Sequence, residues 1–271
     1  MADKKITVHM LVKNEDRFVW YSLASVLPYA DRVLICDSGS SDETYRILKS
    51  FSDPKISLKR EKAETAQDVS RLRQSQLEKT GGGFIWLVDG DEVYPGETAS
   101  EIRKIVKMKG RTTEGIVVGR YDLLGDIYHY QDDSAGFYSL FGKKGHFALR
   151  LINTDILSGL HIAGKYPLEG YYDKTDTEIT RHPPEKFIFT KGHLFHAMYL
   201  KRSSMKDDPV FNRNKYKIEK GLELKRQFIP EIFYKKEKPA MVAEVLGERG
   251  MVYEFMAAFL TPLKKIKRKL A

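Results

Sequence analysis

Three carboxylates stand almost side by side in FIWLVDGDEVYP, residues 84–95: Asp89, Asp91 and Glu92, with Gly90 between the first two. They follow directly on an apolar run, Phe84 to Val88, of aromatic, aliphatic and β-branched side chains. Carboxylates crowded in this way repel and raise one another's pKa unless positive charge sits among them. Two aspartates at i and i+2, where a strand becomes a turn, can converge on one hard cation through oxygen alone. Mg²⁺ or Mn²⁺ suits such a pair, with water and substrate phosphates completing the shell. The other reading of the same residues is a solvated turn that never meets a metal.

A second group lies in DSGSSDET, residues 37–44. An aspartate ends a strand, small residues with a glycine follow, and a helix starts. Small side chains let a ligand approach the backbone, and amides near a helix N-terminus attract phosphate. Asp37 or Asp42 can instead accept hydrogen bonds from a nucleobase or ribose. Asp42 is also a good helix cap and needs no ligand to explain it.

The elements that carry these groups alternate in period. Strand patterns at 6–12, 32–37, 56–61 and 84–89 are separated by helical patterns at 16–29, 41–51 and 65–79, with Ser41 or Asp42 capping the second helix. Such alternation means βαβ units and a parallel sheet, an α/β chain whose ligands sit at the carboxyl ends of strands. Asp37 and Asp89 end the second and fourth strands, and Lys13, Asn14 and Glu15 follow the first, so three polar strand ends share one rim. Residues 120–147, rich in Tyr, Gly and Asp, read as strands and loops over a cleft.

LVKNED at 11–16, PYADRVLICDSGSSDET at 28–44 and FIWLVDGDE at 84–92 together resemble family 2 glycosyltransferases of the GT-A, Rossmann-like fold. Ser41 stands where that family has Thr, Gly90 where it has Ala, and Leu72–Arg73–Gln74 where it has Ala-Arg-Asn. The resemblance implies a mostly parallel sheet flanked by helices and a metal-dependent, inverting transfer from a nucleotide-sugar, with uridine the common base. It assigns Asp37 to the base and Glu15 to the base or ribose, in a donor site that includes Lys13, Asn14, Ser38, Asp42 and Gly90. Asp89 would hold ribose or donor sugar, Asp91 the metal, and Arg73 the phosphate charge. Metal and arginine would stabilise the charge that develops on the departing diphosphate. The acceptor would be a glycan, a lipid-linked sugar or another hydroxyl compound.

The second half carries weaker echoes. FALRLINTD at 147–155 and GKYPLEGYYD at 164–173 are similar to later segments of the family, and on that mapping Glu169 is the general base, although Leu168 replaces the family's histidine. Asp173, Asp132 and Asp133 are rivals. In KGHLFHAMYLKRS, 191–203, His193 is by the same resemblance a metal ligand; the alternative is a core histidine. Two other function classes stay open: a sugar nucleotidyltransferase, which wants a glycine-rich turn that LVKNEDRF lacks, and a non-catalytic module binding nucleotide or membrane.

Of the formal charge of +9, residues 211–271 carry +8, while 1–210 are almost neutral. That asymmetry argues against a nucleic-acid-binding core and divides the chain into a catalytic domain, 1–210, and a basic, helical extension, 211–271. The nucleotide-binding half would cover about 1–92 and the acceptor half 93–210. Residues 251–271, MVYEFMAAFLTPLKKIKRKLA, join an apolar run to five basic residues and could meet an anionic membrane surface or dock as a helix on the domain. The single cysteine, Cys36, excludes an intrachain disulfide, and neither a signal pattern nor an apolar run of membrane-spanning length is present. The expectation is a cytoplasmic chain, peripheral on the inner membrane face if the tail binds lipid.

Overall fold

The structure, a computed structural model, describes residues 4–136, 139–201 and 217–270. Strands Ile6–Val12 (β1), Arg32–Asp37 (β2), Ile56–Arg60 (β3) and Phe84–Leu87 (β4) alternate with helices Val19–Val26 (α1), Thr44–Lys49 (α2) and Ala66–Glu78 (α3). α3 starts as its residues dictate. The Thr65 hydroxyl accepts from the Asp68 N–H at 3.2 Å and the Asp68 carboxylate accepts from the Thr65 N–H at 3.0 Å, a reciprocal capping box. The other two helices are shorter than their patterns. The Asp42 carboxylate accepts from the N–H groups of Thr44 (2.9 Å) and Asp16 (3.3 Å), so it ties two loops together and leaves α2 to begin at Thr44. α1 stops at Val26 because Pro28, lacking an N–H, turns Leu27–Tyr29 into a single 3₁₀ turn.

Then follow Glu92–Val93 (β5), Gly96–Lys109 (α4), Gly115–Asp122 (β6), His129–Tyr130 (β7), Ser139–Leu140 (β8), Lys143–Lys144 (β9) and Phe147–Asn153 (β10). After them come His161–Ala163 (β11), Gly170–Tyr172 (β12), Phe187–His196 (β13), Leu222–Glu223 (β14) and Met251–Leu270 (α5). The main sheet has the order β3-β2-β1-β4-β10-β6-β13-β5. β1 to β4 are parallel to one another, and β10 is antiparallel to both β4 and β6, which turns β6 back into the direction of β4. β13 is parallel to β6, and β5 closes the edge antiparallel to β13. Six strands therefore end at one rim, carrying Glu15, Asp37, Asp89, Asp122 and His196 at or just beyond their carboxyl ends.

β1 and β4 are buried along their whole lengths and β2 from Val33 onward, as befits parallel strands covered on both faces. Trp86 at the centre of β4 meets Tyr94 edge-on, with ring centroids 4.9 Å apart. The expected C-terminal helix is present as α5, and the residues before it pack on the domain. The boundary near residue 210 lies outside the described residues, but from 217 to 250 the chain forms only the short strand β14 and 3₁₀ turns, and α5 is its one α-helix. Leu224, Ile229, Phe233, Val242 and Val245 are buried in the same core as β1 and β4. Phe233 packs against Tyr21 of α1 at 5.4 Å, and the Tyr21 hydroxyl donates to the Ala243 carbonyl at 2.8 Å. Lys220, Lys225, Arg226, Lys235 and Lys236 are exposed, while these apolar side chains complete the domain.

Phe233→Ala is therefore expected to destabilise the whole domain by about 3–5 kcal/mol in a single urea transition, since it opens a cavity in the shared core. His9 supplies a pH test. It is buried on β1 with a ring nitrogen 2.7 Å from the Thr80 hydroxyl, and burial, reinforced by Arg73, lowers its pKa from 6.5 to about 3. Between those values the unfolded chain binds a proton that the fold refuses. The contribution of His9 is thus fully present above pH 6.5 and is lost as pH falls toward 3, with a slope of up to about 1.4 kcal/mol per pH unit. Urea midpoints of His9→Gln should vary less with pH across this window than those of the wild type.

Candidate active site

The first part of the rim is built by two loops zipped together. Asn14, in the left-handed region at φ 54°, donates its N–H to Ser40 Oγ (3.0 Å) and accepts at Oδ1 from the Ser41 N–H (2.8 Å). The Glu15 N–H donates to Thr44 Oγ1 at 2.7 Å, and Ser38 Oγ donates to the Val12 carbonyl at 3.0 Å. Ser38 and Asp42 therefore hold loops, while Lys13 sits half-buried at the mouth. Asp37 is different. It is fully buried, and its Oδ1 accepts from the N–H groups of Gly39 (3.1 Å) and Ser40 (3.0 Å) with Arg60 Nε at 3.3 Å. Its Oδ2 is buried with no hydrogen-bond partner, an acceptor available to a donor group from a ligand. Across from it, a Cβ at Gly90 would lie 3.0 Å from Cβ and Cγ of Glu15, so the glycine lets the DGD turn close onto that buried glutamate.

The second part surrounds the three carboxylates with positive charge. Arg150 on β10 reaches Asp89 Oδ2 at 3.2 Å and also pairs with Glu92. Arg73 on α3 places Nη2 3.8 Å from Asp89 Oδ1 and Nε 3.1 Å from Glu169 Oε1. Burial pushes the Glu92 carboxyl up to about 7 against the pull of Arg150. Glu169, just before β12, is brought to this cluster from nearly one hundred residues further along the chain; its Oε2 is buried and has no hydrogen-bond partner. The Tyr171 hydroxyl beside it is likewise buried without one, and burial pushes its pKa up to about 12. Gln74, where the family has Asn, holds the neighbouring strand β11 by accepting from the Ile162 N–H at 2.9 Å.

The third part involves a histidine other than the one expected. The Ala197 N–H donates to the Asp91 carbonyl at 2.9 Å and fixes β13 against the DGD turn, which sets His196 Nε2 3.4 Å from Asp91 Oδ2. His196 Nδ1 lies 3.0 Å from Asp122 Oδ1 at the end of β6. Burial opposes a charge on His196, but Asp91 and Asp122 outweigh it and push its pKa up to about 9. His193, three positions earlier, faces the other way, because strand side chains alternate with period two. It stacks on Tyr121 at 4.6 Å and 12°, and lines a cavity of about 580 Å³ whose walls include none of Asp37, Asp89 or Asp91. His193 therefore lies away from the DGD turn, and His196 is the histidine that stands beside Asp91. Among the described residues no group of three His, Cys, Asp or Glu side chains could cage a cation. Asp91 with His196 still fits a divalent ion whose remaining ligands are diphosphate and water, and binding would displace the histidine proton.

The rivals for the base lie elsewhere. Asp173 accepts from the N–H groups of Thr175 (2.8 Å) and Thr177 (3.1 Å) and closes a turn. Asp132 caps the turn at Ser134, and Asp133 is largely exposed beside His146. Arg150, Tyr171, Asp122 and His196 were missed in the sequence. Only Arg150 had a signal there, as the arginine of FALRLINTD, and no spacing rule ties any of them to the DGD turn.

A mixed α/β sheet flanked by helices, with polar strand ends on one rim and carboxylates paired there with two arginines, is a GT-A fold. The chain belongs to glycosyl transferase family 2, whose sequence model matches residues 7–167. It is similar to the SPbeta prophage-derived glycosyltransferase SunS of Bacillus subtilis (strain 168), with 28% identity over 140 residues, 51% of this chain and 32% of that protein. It is also similar to the UDP-Glc:alpha-D-GlcNAc-diphosphoundecaprenol beta-1,3-glucosyltransferase WfgD of Escherichia coli, with 27% identity over 129 residues, 46% of this chain and 49% of that protein. Each match thus spans less than half of the relative. Among solved structures, S. aureus TarS in complex with UDP-GlcNAc aligns at a TM-score of 0.48 and 14% identity, over 73% of this chain and 59% of that one. Glucosyl-3-phosphoglycerate synthase from Mycobacterium tuberculosis, in complex with Mn²⁺, UDP-glucose and phosphoglyceric acid, aligns at 0.46 and 15% identity, over 72% of each chain.

Asp122→Asn is expected to weaken Mn²⁺ binding in the presence of UDP by about 10–100-fold, because the carboxylate orients the His196 ring. His193→Ala, on the opposite face of β13, should leave it unchanged; electron paramagnetic resonance of free Mn²⁺ reads both.

Proposed function

We propose that this protein is a metal-dependent, inverting glycosyltransferase that moves a sugar from a nucleotide-sugar, with UDP the favoured carrier, to a hydroxyl of a glycan or lipid-linked acceptor. The observation that carries this reading is the meeting of Asp89, Asp91, Arg73, Arg150 and Glu169 at one rim, with the open acceptor of Asp37 in the neighbouring loop. The activity that names WfgD, with a UDP-glucose donor and a diphosphoundecaprenol-linked acceptor, supports both the base and the acceptor class.

In this reading Asp37 Oδ2 accepts from the base and Asp89 holds a hydroxyl of ribose or donor sugar. Glu169 Oε2 accepts the proton of the acceptor hydroxyl as its oxygen bonds to the anomeric carbon from the face opposite the diphosphate. The bond from that carbon to the phosphate oxygen breaks, and the electron pair leaves with the nucleoside diphosphate. Arg73 meets the charge that develops there. Arg150 keeps Asp89 and Glu92 together so that Asp89 stays where the donor needs it. A Mg²⁺ or Mn²⁺ ion held by Asp91 and His196 would neutralise the diphosphate further. The basic C-terminal helix belongs to the same reading, as attachment to an anionic membrane where a lipid-linked acceptor resides.

Thermal melting with UDP, GDP, CDP and ADP, each with Mn²⁺ or EDTA, tests the donor site. UDP at about 100 times its Kd should stabilise by about 2.7 kcal/mol with Mn²⁺. Asp91→Ala should abolish the Mn²⁺-dependent part. Glu169→Gln should keep the shift and lose about 10²–10⁴-fold in kcat; a shift with no nucleotide, or full activity in Glu169→Gln, would contradict the site or the base respectively.

A further inference from the structure

α5 is a 20-residue helix that uses only one side to hold the domain. On that side Tyr253 and Ala257 are buried, and the Tyr253 hydroxyl donates to the carbonyls of Lys217 (3.1 Å) and Glu219 (3.2 Å). Thr261 accepts from the Lys220 N–H at 2.8 Å, and Lys264 and Arg268 reach back to Glu219. The other side is apolar and exposed. Val252, Phe255, Phe259, Leu263, Ile266 and Leu270 follow one another at helical spacing, with Phe255 76% and Phe259 66% exposed. A hundred degrees per residue puts these six side chains within one arc of less than half the circumference. Lys267 falls on one edge of that arc, and Lys265 and Lys269 fall on the other, all three exposed.

We propose that α5 lies flat in the interface of an anionic lipid bilayer, its apolar stripe among the acyl chains and its flanking lysines on the lipid phosphates. The stripe extends over the 20-residue helix, about 30 Å at 1.5 Å per residue, with Pro262 inside it, and basic residues border it on both long edges of its C-terminal half. A planar surface that is apolar below and negative at the level of the helix sides meets both features at once. No helix of the described residues is long and apolar enough to cross a membrane, so contact along one face is the mode that this sequence allows α5. The helix packs on the loop that leaves β6: Tyr253 lies against Gly125, and the Arg249 N–H donates to Asp126 Oδ2 at 3.1 Å. Asp126 is four residues beyond Asp122, so α5 is anchored to the loop that follows the Asp122 end of the rim. The connection to a lipid-linked acceptor rests on the transferase reading, whereas lipid binding itself does not.

Flotation of the full chain with vesicles tests the surface. The wild type should float with vesicles of equal parts phosphatidylglycerol and phosphatidylcholine, release with added salt, and stay behind with phosphatidylcholine alone. F255S/F259S should lose flotation, and K265E/K267E/K269E should bind at least tenfold more weakly, both with unchanged melting temperature and unchanged UDP-dependent shift. The proposal is overturned if the wild type ignores anionic vesicles, or if both variants float as it does. It is equally overturned if sedimentation velocity finds a wild-type dimer that F255S/F259S dissociates, because the stripe then belongs to a second copy. Failure of the UDP shift alone would count against the donor site and leave lipid binding standing.

Discussion

Two half-buried guanidinium groups hold the rim together. Without Arg73 and Arg150, the strand end that delivers Asp89, Asp91 and Glu92 would place like charges in a region where water cannot screen them. Arg150 joins β10 to β4 and β5 through Asp89 and Glu92, and Arg73 joins α3 to the loop of Glu169 through that glutamate and Asp89. Removing Arg150 would leave the fully buried Glu92 without its arginine partner, which is destabilising. The same contacts that position groups for chemistry therefore also join parts of the chain separated by up to one hundred residues. Structure and site are one network here.

The direction of the strands makes this possible. A single antiparallel strand, β10, interrupts six parallel ones without reversing the rest, so the ends of β1, β2, β4, β6 and β13 all remain on one side. β10 contributes differently, from its middle, by reaching Arg150 toward that rim. At the far edge, β5 is only two residues long, yet its pairing of Glu92 with His196 decides which histidine faces the DGD turn. The C-terminal segment closes the arrangement from behind. Leu224, Phe233 and Val245 enter the shared core, while most of its lysines stay exposed.

Much of the first third was legible before any coordinates. β1, β2 and β4 are apolar runs bounded by turn residues, and Thr65 with Asp68 announces α3 through local hydrogen bonds alone. Asp37 ends β2, and Asp89 and Asp91 both follow β4, so a local pattern fixes their place in the fold. Helix limits were less legible: Asp42 could cap a helix or bridge to Asp16, and only the neighbouring loop decides. The extension was harder to read because its composition is that of a charged helix, whereas Phe233, Val242 and Val245 answer to cavities formed by residues two hundred positions away.

Sequence by itself determined the family, the parallel strands that open the fold and the carboxylates at their ends, since these depend on periodicity and on residues adjacent in the chain. Tertiary structure alone decided what neutralises those carboxylates and which histidine stands beside them. Arg150, Glu169, Asp122 and His196 reach Asp89 and Asp91 through strand pairing and loop closure over long separations. His193 and His196 share a segment and a chemistry, and no local rule chooses between them. The choice belongs to the register of β13 against β5 and β6, because a strand turns alternate side chains to opposite faces and its partners determine which face meets the site.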